Sequence, residues 1–527
     1  MTPESLIRSV GDFLEGSRSA FVIEDGAVMF DLAQARYSVT GEHHKCLLHL
    51  WSPERNVVRR VLDAEVKNDA LKLAVQRMGQ SKPSKLEICR ERDRRTPTAK
   101  RTTRLAYERK LRRVLERRYP GLSIVRLTTA MDLEHSFGPI YTRGLLRRGQ
   151  SAFAVLGVNG QEAQASIDAA LTFGILWLEV CRESSAGKYV VEGLKLFLPA
   201  GSSAVARERM AHLDPQAAKW QLFEFNEAED SVARIDVQDR GNLATRLTHC
   251  LDEQSALERF APAIAQVRAI MPEVEIAILS PAEIAFRHYG LEFARAQLNH
   301  DLRSLQSIPE IVFGLGAEQH ELTESNRDAF ARLVSSIGEV RHAEGPRDHP
   351  LWRLHPECWL ESLVAKNVAA IDGRLDATQV YSQVPAFSAS DRAMMDVMAL
   401  TREGRLAVVE LKADEDIQLP LQGLDYWARV AWHHARGDFQ RFGYFTGREI
   451  SPEPPLLLLV APALHVHPKT DRLLGYLSPK IDWMLAGIDE RWREGVSVVF
   501  RKRPAARSTA SARFHDGNED FLGRTGS

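Results

Sequence analysis

Glu410 and Lys412 stand two apart in the apolar run RLAVVELKA, and thirteen residues separate Asp396 from Glu410. In a strand, residues two apart share a face, so acid and ammonium project together while Val409 and Leu411 turn toward a core. With Arg402-Glu403-Gly404 as the hairpin loop and Gly404 in the left-handed position that closes such turns, the register sets Asp396 opposite Glu410. Two carboxylates and a lysine then converge. Neighbouring carboxylates in a partly buried cleft repel one another, which is poor for stability and good for a hard divalent cation. Mg2+, or Mn2+ in its place, would take one oxygen from each of Asp396 and Glu410 and keep positions for water and a phosphate oxygen. Lys412 is placed to position that water or to counter charge on the phosphate.

These residues need a hairpin (RAMMDVMAL and RLAVVELKA), a helix behind it (LPLQGLDYWARVAWHHA) and a return strand (PLLLLVAPALHV). On that helix Gln422 and Tyr426 are four apart and share a face, with Arg429 one turn further along nearly the same stripe. Upstream, a helix around WLESLVAKN buries Trp359, Leu360, Leu363 and Val364, which leaves Glu361 to look toward the acids and Glu357 as the second choice.

The ordered pattern D-(x13)-ExK followed by QxxxY, over about a hundred residues, resembles the PD-(D/E)XK nuclease superfamily, in particular its RecB-like branch. The resemblance implies a metal-dependent phosphodiesterase acting on DNA. Asp396 and Glu410 match the metal-binding acids, Lys412 the catalytic lysine, Gln422 and Tyr426 the characteristic helix, and Glu361 the helical acid of many members. Met395 stands where the motif's name has proline.

Other candidates are weaker. His465 and His467 lack an evident third ligand, as do His433 and His434 near the end of the QxxxY helix, where a charged histidine is favoured by position alone. Trp427 and Trp432 could stack on bases, yet aromatics at helical spacing more often form core. The sequence contains no P-loop, Rossmann fingerprint, kinase signature or Gly-x-Ser-x-Gly elbow, so motion along DNA would need a separate ATPase or helicase partner.

The 527 residues exceed one core and predict an α/β multidomain chain. Residues 1–80 alternate like a small β-rich domain ending in a helix near Asp69 to Met78. Residues 81–118 read as a basic linker and helix: Lys82 to Arg118 holds fifteen Lys/Arg against five Asp/Glu, within a net charge of −1. Arg101, Arg104, Lys110 and Arg113 there, with Arg429 on the QxxxY helix, are the expected nucleic-acid contacts; an ordinary solvated helix face is the competing reading.

Residues 119–204 form an α/β domain whose strand, strand, helix, strand order returns in residues 351–503, the nuclease-like domain with a mixed sheet flanked by helices. Laying AVLGVN (154–159) over VVELKA (408–413) brings Ile167 onto Leu421 and replaces Glu410, Lys412 and Asp396 by Leu156, Val158 and Thr142. If the order reflects a duplication, the middle domain is a degenerate nuclease-like copy without metal ligands; the alternative is a common strand-strand-helix-strand order that recurs without shared ancestry. Residues 205–350 read as a mainly helical connector, with strands at VEIAIL and EIVFGLG, and residues 504–527 as a disordered tail.

No apolar run spans a bilayer and the first residues lack a signal-peptide pattern, so no membrane partner and a cytoplasmic location are expected. The five cysteines are scattered and read as reduced thiols. DNA is the expected substrate, and a homodimer is compatible with cutting both strands. The competing functions are a catalytically inactive nuclease-fold protein that binds nucleic acid or scaffolds a partner, an RNA-directed nuclease, and a hydrolase of another phosphate ester.

Overall fold

The computed structural model describes residues 3–15, 20–24, 27–32, 35–42, 45–52, 55–67, 70–77, 83–90, 97–239, 245–300, 307–316, 318–388 and 392–504. The chain is an α/β multidomain protein that separates into two compact units. One contains Met1–Ser203, Phe223–Arg234 and Phe293–Phe330; the other contains Ala204–Leu222, Ile235–Glu292 and Ala331–Ser527. Among the described residues no helix is long and apolar enough to cross a membrane. The five cysteines are free thiols, with Cys46, Cys89 and Cys181 buried.

The first unit begins with the helix Pro3–Glu15 and a seven-stranded antiparallel sheet over residues 20–90. The helix expected near Asp69 to Met78 is instead the strand Ala70–Arg77, because Leu71, Leu73 and Val75 alternate inward at period two. The linker expected after it contains a further strand, Ser84–Arg90, before the helix Pro97–Arg118 begins.

The same unit then repeats a simple motif. Strand Ser151–Val158 pairs antiparallel with Tyr141–Arg148 and parallel with Val190–Pro199, and helix Ala170–Ser185 makes the crossover. A correction to the ungapped overlay follows from the pairing, which sets Leu156 opposite Arg143 and not Thr142. The two-residue turn Gly149-Gln150 is one residue shorter than Arg402-Glu403-Gly404, which moves the partner strand by one. Arg143 is fully buried, pairs with Asp132 at 3.4 Å and lies over the rings of Phe137 and Trp177. At the hairpin position that corresponds by this pairing to the two acids, the first unit thus holds a leucine and a guanidinium.

Residues 205–350 are not mainly helical. Besides short helices they contain the strands Lys219–Asn226, Ser231–Ile235, Glu275–Ser280, Glu283–His288, Leu291–His300 and Ser307–Phe313, of which the segments VEIAIL and EIVFGLG had marked two. Helix Arg327–Val340 follows, and Arg341 at its end is buried, donating to the carbonyls of Tyr289, Leu351 and Leu354.

The second unit is built on a mixed seven-stranded sheet. Its centre is the strand Leu406–Leu411, antiparallel to Arg392–Thr401 and parallel to Leu456–Pro462, which in turn runs parallel to Trp483–Ile488. Both faces of Leu406–Leu411 are covered. Val397, Ala399, Ala407, Val409 and Leu411 pack beneath helix Pro356–Lys366 through Trp359, Leu360 and Val364. Met398, Leu400, Leu406 and Val408 pack against Val430 of helix Leu419–His434 and against Phe439, Tyr444 and Phe445. The near-continuous apolar runs LAVVEL and LLLLVAP are what strands buried on both faces require.

The hairpin closes at Thr401, which donates to and accepts from the two ends of the loop: Thr401 N to Arg405 O at 2.7 Å and Gly404 N to Thr401 O at 2.9 Å. Gly404 has φ +84°, and a Cβ there would stand 2.3 Å from the Glu449 carbonyl oxygen. Both conditions exclude a side chain. Gly404→Ala is therefore expected to cost at least about 2 kcal/mol, from the left-handed backbone and the carbonyl clash together. Urea unfolding checks this, and an unchanged midpoint would contradict the turn assignment.

Candidate active site

The pairing Val397↔Val409 through Leu400↔Leu406, continued by one residue, sets Asp396 opposite Glu410 at the end of the hairpin. There the ladder gives way to a side chain. Asp396 Oδ2 accepts from the Leu411 amide at 2.8 Å, while the next amide, Lys412 N, donates to Val460 O at 2.9 Å. The carboxylate is thereby fixed to the neighbouring strand, beside Glu410.

Glu410 is 2 % exposed, and its Oε2 has no hydrogen-bond partner. Its other oxygen lies 3.4 Å from Lys412 Nζ, which is also 3.7 Å from Glu357 Oε2. Burial and then the neighbouring Asp396 push the Glu410 carboxyl well above its usual value. Burial likewise raises Asp396 to about 6, against the Leu411 amide and Lys412, which favour its charged form. For Lys412 burial opposes the charge, but Glu410, Glu357, Asp396 and Asp416 outweigh it and hold the pKa above the lysine norm. One fully buried carboxyl, Glu410, with an unpartnered oxygen thus sits between half-buried Asp396 and Lys412, while Glu357 reaches in from the exposed rim.

Helix Leu419–His434 closes the acid face. Gly423 makes this approach feasible: a Cβ there would stand 3.5 Å from Glu410 Cβ and 2.5 Å from Leu459 Cδ2. Gln422, beside it, has a buried Oε1 with no hydrogen-bond partner. Burial, with added repulsion from Glu410 and Asp396, raises the Tyr426 hydroxyl far above its usual pKa, so it remains a neutral donor. Arg429 lies over the Tyr426 ring at 5.9 Å and its charge reaches Glu208, whose carboxyl is raised by burial and left with Oε1 unpartnered. Next to Glu208, Arg209 holds Asp425 with two bonds of 2.9 and 2.7 Å, which ties helix Ala204–Met210 to the QxxxY helix.

The helical acid that reaches Lys412 is Glu357, in the first turn of Pro356–Lys366. Glu361, preferred from the sequence, lies one turn further along and is 8 % exposed; its charge acts on Cys358. Period 3.6 puts 357 and 361 on one face, and only the direction of the helix axis relative to the strand end separates them.

The remaining candidates have other tasks. Trp427 is core, with Nε1 donating to Pro455 O, and Trp432 is capped by Arg436 at 3.3 Å from its ring centroid. His433 is held between Asp438 at 2.7 Å and Thr245 at 3.1 Å, and His434 meets the Ser451 carbonyl. His465 faces Asp414 and Glu490, and His467 faces Glu415. In the first unit Arg104 is consumed by a two-bond pair with Glu162 at 2.6 and 2.9 Å, and Lys110 donates to Glu227 O. Arg101 and Arg113 are exposed.

Asp396 and Glu410 are oxygen donors of the kind a hard divalent cation such as Mg2+ takes. Among the described residues no three His, Cys, Asp or Glu side chains form a ready cage. Mg2+ asks for less, since it binds through one or two carboxylates and keeps its waters. The orphaned Glu410 Oε2 beside Asp396 is the observation that supports such an ion.

No family model matches the chain, and no curated protein matches it. A solved structure, that of the EndoMS–dsDNA2 complex, is similar to part of it at a TM-score of 0.17 and 14% identity, covering 42% of this chain and 95% of that one.

The acids set a pH dependence. A carboxyl whose folded pKa lies above its unfolded value binds protons more tightly when folded, so its stabilisation is present at low pH and lost as pH rises. For Asp396 the loss runs from about the ordinary 3.8 up through about 6, and Glu410 carries it higher. In EDTA at pH 8, Glu410→Gln should melt a few degrees above wild type, with the gap closing toward pH 5. A Gln variant that melts lower at pH 8 would show that the glutamate is not under this tension.

Proposed function

We propose that the chain is a divalent-metal-dependent nuclease of the PD-(D/E)XK type that hydrolyses phosphodiester bonds of DNA. The single observation that carries this reading is the juxtaposition of half-buried Asp396 with buried Glu410, whose Oε2 has no hydrogen-bond partner, and with the Lys412 ammonium 3.4 Å from Glu410. Such a cluster disfavours the fold and is retained where chemistry uses it.

Asp396 and Glu410 would hold Mg2+, or Mn2+, with Glu357 available at the rim through its contact with Lys412. A bound ion of this kind stabilises charge on a phosphate oxygen and acidifies a coordinated water. The chain's own residues do the positioning. Lys412, kept protonated by four acids, supplies a fixed positive charge for the phosphate or a donor that orients the attacking water. Tyr426 and Gln422 offer neutral polar groups on the helix that covers the acids, and Arg429 braces Tyr426 from the next turn. Burial on both faces of the central strand lowers the local dielectric, which strengthens each of these interactions.

The test is cleavage of linear, circular and single-stranded DNA with Mg2+ or Mn2+, alongside RNA of the same sequence, by wild type and Lys412→Ala. Wild type should cut DNA only when metal is present, and the variant should be slower by about a hundredfold or more. Metal-dependent cutting of RNA alone would move the assignment to an RNA-directed nuclease. No cutting by a folded wild type would favour a binding or scaffolding protein that kept the acids.

A further inference from the structure

Helix Pro97–Arg118 carries nine Lys/Arg and two acids, Glu108 and Glu116. One face is fixed: Tyr107, Leu111, Val114 and Leu115 are buried in a core with Leu127, Val155, Phe197 and Phe223. Several charges are spent internally. Arg104 pairs with Glu162, Lys110 with the Glu227 carbonyl, and Glu108 accepts from Thr129.

What remains outward is a row. Positions 101, 105, 109, 113 and 117 recur every four residues, and all but Leu105 are arginine. All five are exposed. Successive members are about 6 Å apart along the axis, so the row runs for about 24 Å. Like charges at this spacing repel and weaken a helix. Asp230 relieves two of them only in part, through a 3.4 Å contact to the Arg113 guanidinium and its carbonyl to Arg117. Among the described residues Arg101 and Arg109 have no acid partner.

We infer that this arginine row is a grip for the phosphate backbone of double-stranded DNA, in a unit of the chain other than the one that carries the acids. The row presents four exposed guanidinium groups, three of them at consecutive four-residue steps, and guanidinium pairs with phosphate oxygens in a planar, two-bond manner. Base edges play no part, so the grip is independent of sequence. The choice of ligand rests on the nuclease reading above; the row itself does not.

The experiment is fluorescence anisotropy of a labelled DNA duplex with the full chain in EDTA, over a salt series, where cutting cannot intervene. The row variant carries Arg101→Ala, Arg109→Ala, Arg113→Ala and Arg117→Ala. A control removes the same charge elsewhere, through Arg268→Ala, Arg327→Ala, Lys480→Ala and Arg491→Ala, all exposed. The row variant should bind at least about tenfold more weakly, and its slope of log affinity against log salt should shrink by about three to four, one counterion per lost phosphate contact. The control should follow wild type. Equal losses in both variants would reduce the row to net charge and overturn the inference, as would an unchanged row variant or a wild type that does not bind. Binding through the row by a chain that never cuts would leave the grip standing and remove only the nuclease reading.

Discussion

Two carboxyl groups side by side, Glu410 buried and Asp396 half-buried, dominate the second unit. Asp396 and Glu410 face each other across the end of a hairpin, and burial raises both. A single ammonium, Lys412, offsets part of the repulsion, and the Leu411 amide anchors one acid. Each alternative that would relax the cluster has been closed by packing. The strand that bears Glu410 cannot turn the acid to solvent, since its opposite face is filled by Trp359, Leu360 and Val364. The helix above cannot withdraw without exposing the apolar contacts of Val430 and the core around Met398 and Val408. Hydrophobic burial on both faces thus holds an electrostatically unfavourable arrangement in place.

The same topology without the acids shows what the tension is not needed for. In the first unit a hairpin, crossover helix and parallel strand form around Leu156 and Arg143, and the guanidinium is neutralised by Asp132 and two aromatic rings. There an ion-paired arginine beside a leucine takes the place of two like charges, although the Arg143 Nε has no hydrogen-bond partner. Carboxylates at the equivalent place are therefore a departure from what packing asks.

Much of the central hairpin was legible because local rules agree there. Alternation, a glycine that must adopt positive φ and an apolar strand each point to the same register, and Thr401 to Arg405 closes as those rules require. What the sequence hid depends on distant partners. The partly buried cleft expected around Glu410 is, at Glu410 itself, fully closed by the helix that follows, since period two says which residues share a face and nothing about how closely it is covered. Glu357 and Glu361 share a helical face, so only the helix direction decides which meets Lys412. Arg104 and Lys110 looked available because Glu162 and the Glu227 carbonyl are 58 and 117 residues away. The strand Ala70–Arg77 was misread for a different reason: ALKLAVQR is rich in helix formers, and sheet pairing overrode propensity.

The account's central claim is that Asp396 and Glu410 together are a cation site. Its most direct test is calorimetric titration of the nucleic-acid-free protein with Mn2+, for wild type, Asp396→Asn and Glu410→Gln. Saturable uptake by wild type that either substitution abolishes is the predicted result. No uptake by wild type, or uptake that survives both substitutions, would contradict it.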